Sequence, residues 1–167
     1  MSDLCSFSVN HYKYCLEMAK KRGYKFMTMG EFTMKKDEIA ESEKIIILRH
    51  DIDHTMKLVP LFSKIEGELG ISATYFLRVH ANYNLGSYEN FGIVREIVGG
   101  GHEIGLHHEG DFASLVGEDP SLFLKRNKLI LENTINRKVL GVTTHAPAKS
   151  GISLTSELIK ELEFLYE

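Results

Sequence analysis

Four apolar runs of strand length alternate with four segments of helical spacing, and this alternation leaves few folds open to the chain. The first run, Ile45-Ile46-Ile47-Leu48, is continuous and β-branched, the pattern of a parallel strand buried on both faces. Leu58, Leu61, Phe62, Ile65 and Leu69 follow at helical spacing and stop at Gly70. Residues 72–79 form the second run, and Tyr88, Phe91, Val94 and Val98 a second helix closed by Gly99-Gly100-Gly101. A third strand is expected over 103–107, and Asp119-Pro120 supplies a cap and first turn for a helix reaching about Asn136. Residues 139–144 form the fourth run. Leu158, Leu162 and Leu165 then share one face of a last helix over 154–166. Ahead of this pattern, Tyr12, Cys15, Leu16 and Ala19 line a helix stopped by Gly23. A short apolar piece at 24–29 and a polar, loop-like stretch at 35–44 come next.

Strand and helix in strict succession call for right-handed β-α-β units and a parallel sheet. Periodicity does not separate an open sheet from a barrel. In either, function gathers at the C-terminal ends of the strands.

The remaining features are those of one soluble domain: 167 residues, 43% hydrophobic and 26% charged. A net charge of −3 with scattered lysines and arginines gives no reason to expect nucleic acid as a partner. No apolar run reaches the ~20 residues of a membrane span, and the N-terminus has no basic-then-apolar leader. A cytoplasmic protein with Cys5 and Cys15 as free thiols is expected.

The strand ends carry the chemistry. The first ends in Arg49-His50-Asp51-Ile52-Asp53-His54, the second in Arg78-Val79-His80, the third in His107-His108-Glu109, and the fourth in Thr144-His145-Ala146-Pro147. Alternation lets Arg49, Asp51 and Asp53 point to one side and separates His107 from His108. The small Gly105 beneath His107 favours His107 as the member facing the site. Carboxylate plus imidazole suits zinc and related divalent ions. Two acids one residue apart can divide the work, one binding the ion and the other taking a proton from water that the ion acidifies. A lone Asp-x-Asp is common and means little; its coincidence with histidines on neighbouring strand ends is what singles it out. His80 and Arg49 are candidates for substrate contact, with packing the alternative for His80. His102 lies at the wrong end of its strand and reads as structural.

The segments ILRHDID, GISATYFLRV and GGGHEIGLHHE resemble the polysaccharide deacetylase family, also called carbohydrate esterase family four. The nearest likeness is to a branch with Arg-His-Asp-x-Asp as its first motif, found among proteins of surface-glycan biosynthesis. The likeness runs from about His11 to Gly151. It implies a distorted (β/α) barrel and a metal-dependent hydrolase, commonly using zinc, that removes acetyl groups from a sugar. It assigns Asp51 as the catalytic base, Asp53 as the metal-binding acid and His107 as the first histidine of the second motif. The third motif would fall at 144–147, with His145 as a further metal ligand.

The chain departs from that pattern. Asp111 stands where the second motif usually has another histidine, so His145, Asp111 and Glu109 all compete as third ligand. Ala146 stands where an arginine usually orients the base. Later strands that normally bring a general-acid histidine have no counterpart in the sequence, so the expected barrel is incomplete at its C-terminus. Its last apolar stripe would then seek a homo-oligomer contact. A second expectation is a remnant that binds a sugar or a protein without turning it over. A histidine-rich amidohydrolase barrel is disfavoured, because its first strand would open with His-x-His.

Overall fold

The computed structural model describes residues 8–146 and 154–167. Cys5, Pro147 and Gly151 lie outside the described residues. The chain opens with α1 (Val9–Lys21), capped by Ser8 and ended by Gly23 at φ 81°, a conformation glycine enters without strain. β1 (Tyr24–Met27) leads into α2 (Met29–Lys35), which Thr28 and Glu31 start with a reciprocal capping box. A 3₁₀ turn, Lys36–Glu38, follows. The apolar periodicity of this stretch is too short to announce either element, which is why 35–44 reads as loop.

β2 (Lys44–Ile47) and β3 (Arg49–Ile52) come from one continuous extended run. They do not form one strand. β2 pairs in parallel with β1, whereas β3 pairs in parallel with β4 (Thr74–Leu77), the change of partner falling at Leu48. The β-branched run is therefore not buried on both faces; Ile47 stays 38% exposed. α3 (Val59–Glu68) connects β3 to β4, α4 (Tyr88–Gly99) connects β4 to β5 (Glu103–His108), and α5 (Gly110–Val116) with α6 (Pro120–Ile135) leads to β6 (Val142–Thr144). α5 is an element the sequence did not announce: Gly110 opens it and only seven residues later Gly117 ends it.

Every ladder is parallel, as the β-α-β reading requires. The described strands fall into two sheets, β1-β2 and β3-β4-β5-β6. The expected barrel is not closed by hydrogen bonding among the described residues, because β2 and β3 each pair on one side only.

The last helix, α7 (Ser156–Glu161), is much shorter than the expected 154–166. After it the chain lies along β6, where Val142 N–H donates to Tyr166 O at 3.2 Å and Leu165 N–H to Leu140 O at 2.6 Å. Leu162 and Phe164 are buried in the main core and Leu158 packs against it, while Leu165 is 40% exposed. The chain thus covers most of the stripe for which a homo-oligomer was expected.

The main core lies between the four-stranded sheet and the helices, built from Tyr75, Leu77, Val94, Ile97, Leu106, Leu124 and their neighbours. A smaller cluster of Leu16, Ile65 and Ile71 seats α1, with Tyr12 against it and Cys15 exposed. The other face of the sheet is unlike a core. Its register aligns Arg49 with Thr74 and Glu103, and Asp51 with Phe76 and Gly105. This face carries Arg49, Asp51 and His107, whereas His50 and His108 have the opposite parity. No helix among the described residues is long and apolar enough to cross a membrane.

Candidate metal centre

At the C-terminal ends of β3, β5 and β6, three side chains meet. One ligand atom each from Asp53, His107 and His145 lies within 4.8 Å of the other two. His107 Nε2 is 3.2 Å from Asp53 Oδ1, and His145 Nε2 is 3.6 Å from the same oxygen. The two rings stand nearly perpendicular, 88° apart, so both nitrogens aim at one point without stacking.

Asp53 Oδ1 is buried and has no hydrogen-bond partner. An orphaned carboxylate oxygen is costly to bury, and a cation placed among these three atoms would remove the cost. Burial lowers the pKa of His107 below the ordinary histidine value, against the raising effect of Asp51 and Asp53. A neutral imidazole is the form that can donate a lone pair to a metal. One acid oxygen and two imidazole nitrogens fit a divalent ion of the zinc type with an open position.

His145 extends the β5–β6 ladder and precedes an unusual backbone conformation. Its N–H donates to His108 O at 2.7 Å, and the next residue, Ala146, has φ 46°. That left-handed conformation strains a residue with a Cβ by about 1–2 kcal/mol, the kind of strain found at functional sites.

The other candidates for third ligand go elsewhere. Glu109 is buried, and its Oε1 accepts from Arg78 Nε at 2.8 Å and from an Arg78 Nη at 2.5 Å. Its Oε2 accepts from His80 N–H at 3.0 Å. Asp111 is exposed in the first turn of α5. Neither joins the cluster formed by Asp53, His107 and His145.

Asp51 lies beside this cluster and is held by Arg49. The guanidinium donates from Nε to Oδ1 at 2.7 Å and from Nη2 to Oδ2 at 2.8 Å, and Nη2 also reaches Thr143 Oγ1 at 3.0 Å. Its flat face lies over the Phe76 ring, 4.8 Å from the centroid. Gly105 does not leave open space under His107. A Cβ there would collide with the Phe76 ring, so the glycine makes room for the platform on which Arg49 rests.

His80, His50 and His102 lie in packed surroundings away from this cluster. His80 is stacked between Phe112 and Phe123, at 5.4 and 5.2 Å, with Nε2 3.0 Å from Asn127 Oδ1. The structure therefore gives it a packing environment rather than a place beside Asp53. His50 faces the helices and meets the fully buried Glu66 at 2.7 Å. Tyr12 and Tyr75 also donate to Glu66. Burial pushes the Glu66 carboxyl up, and the bonds from His50, Tyr12 and Tyr75 outweigh it and leave the pKa low. His102 Nδ1 accepts from Ala73 N–H at 3.2 Å, in keeping with a structural part.

No known family profile matches the chain, and no curated protein sequence does. Solved structures do. The chain is similar to "Streptococcus pyogenes deacetylase PplD in complex with acetate", with a TM-score of 0.71 and 17% identity, over 94% of this chain and 70% of that one. It is also similar to IcaB from Ammonifex degensii, with a TM-score of 0.69 and 16% identity, over 98% of this chain and 76% of that one. At these identities the likeness is one of fold.

Proposed function

We propose that the chain is a metal-dependent carbohydrate deacetylase, one domain over 1–167, hydrolysing acetyl groups on a sugar of surface-glycan biosynthesis. The observation that carries this reading is the meeting of Asp53, His107 and His145 beside an Arg49-held Asp51, in a fold similar to that of a deacetylase bound to acetate.

In this reading Asp53, His107 and His145 hold one divalent ion, zinc by the nature of the donors. When bound, the ion supplies acidification of water and polarisation of the acyl carbonyl. Asp51 takes the proton from the attacking water. Arg49 restrains the rotation of Asp51 through the two-point pair, so that one oxygen faces the attacking water on each encounter. In this reading Arg49 acts by orienting the base, a part that differs from the substrate contact expected from the sequence. His145 sits among the ligands, so its Nε2 is not free to protonate a leaving amine while an ion is held.

The test is acetate release from an aryl acetate and from an N-acetylglucosamine oligomer, with and without chelator. Chelator-sensitive release that returns with zinc supports the reading. Activated esters should be cleaved faster than N-acetyl groups, because general-acid help to an amine is typically worth ~10²–10⁴ in rate. Binding of the oligomer without any release would favour a sugar-binding remnant.

A further inference from the structure

Apart from its approach to His107 and His145, the Asp53 side chain has no anchor at Oδ1. Its Oδ1 makes no hydrogen bond, and the residue lies one position past the end of β3. What fixes it is the backbone on either side. The carbonyl of Ile52, in the peptide preceding Asp53, accepts from Tyr83 Oη at 2.6 Å. The carbonyl of Asp53 itself accepts from Arg78 Nη1 at 2.8 Å. The two peptide planes that flank the Asp53 Cα are each pinned by a different side chain, and together they set its φ and ψ.

The pins are themselves locked. Arg78 N–H donates to Tyr83 Oη at 3.0 Å, so the two clamps form one unit. Arg78 directs its Nε and other Nη into Glu109, whose side chain is 1% exposed, and Glu109 also takes the His80 N–H. A buried ion pair is poor evidence for stability, since desolvation can cancel the attraction. A positional duty accounts for this one, because it ties the ends of β3, β4 and β5 together around the cluster.

We propose that Arg78 and Tyr83, braced by Glu109, are positioning residues that preset Asp53 for the ion and thereby set the affinity of the site. The inference rests on the reading of Asp53 as a metal ligand. Supporting contacts of this kind typically change metal affinity 10- to 100-fold.

The experiment is a titration of metal-free protein with cobalt and zinc against a chromophoric chelator, far below the unfolding temperature. Tyr83→Phe removes one hydroxyl. Arg78→Lys keeps the charge opposite Glu109 but cannot span Glu109 and the Asp53 carbonyl at once. Arg78→Met with Glu109→Gln removes both charges together, so no buried charge is left unpaired if the single changes fold poorly. Each should weaken metal binding about 10- to 100-fold and shift the visible cobalt bands, with the far-ultraviolet circular dichroism of the metal-free protein unchanged. Wild-type affinity and an unshifted cobalt spectrum in all three, with binding lost in Asp53→Ala, would overturn the inference. A wild-type chain that takes up neither metal would instead sink the metal-site reading itself.

Discussion

Arg49 grips both oxygens of Asp51, at 2.7 and 2.8 Å, although the two residues belong to the same short strand. Residues two apart on a strand point the same way, so the pair forms without help from another element. Thr143 and the Phe76 ring then steady the guanidinium. In the proposed reading this pairing orients the base, the part for which the family resemblance expects an arginine where the chain has Ala146.

Replacing Arg49 should damage turnover and spare the ion. Arg49→Lys loses the planar fork that matches a carboxylate. A misplaced base costs on the order of 10²-fold in rate. Steady-state kinetics beside elemental analysis decides it: a fall in kcat with unchanged metal content is expected, and loss of metal would show that Arg49 supports the ligands instead.

The two acids should separate cleanly. Asp51→Asn is expected to keep about one divalent ion per chain and lose turnover, because the base goes and the ligand stays. Asp53→Ala is expected to lose the ion. The reverse pattern of metal content would exchange their roles.

Gly105→Ala should destabilise the fold by about 1–3 kcal/mol, the usual result of overpacking, because the added methyl meets the Phe76 ring. Denaturant unfolding measures this. Combining it with Phe76→Leu should recover part of the loss; no recovery would mean that the strain lies elsewhere.

The metal-free protein should lose stability in acid. Burial lowers the pKa of His108 to about 4 and also lowers that of His102. A histidine depressed in the folded state binds fewer protons there than when unfolded. Its contribution is therefore present above about pH 6.5 and is lost as pH falls towards the folded value. For His108 this is about 3 kcal/mol at most. Thermal midpoints recorded from pH 7.5 to 4 should fall, and His108→Gln should flatten the decline. A profile unchanged by that substitution would show that other groups drive it.

Much of the site was legible because its logic is local. Parity along one strand puts Arg49, Asp51 and Asp53 on one side and separates His107 from His108, whatever lies next to them. Helix stops at Gly23 and Gly70, and the cap at Asp119, are local in the same way. Short elements escaped notice, since α2 and α5 are seven residues each and hold too few turns to show a period.

Tertiary structure alone decided which residues face each other across strands. Glu109 and Asp111 are as plausible as His145 for a third ligand when read along the chain. Glu109 is drawn off by Arg78, 31 residues away, and Asp111 turns to solvent. His80 is enclosed by two rings from α5 and α6. The change of partner at Leu48 is equally invisible, since Ile45 to Asp51 is one extended run whose pairing depends on β1 and β4. A side chain's direction follows from the backbone period of its own strand. What it meets depends on register between distant segments, which only the packed chain determines.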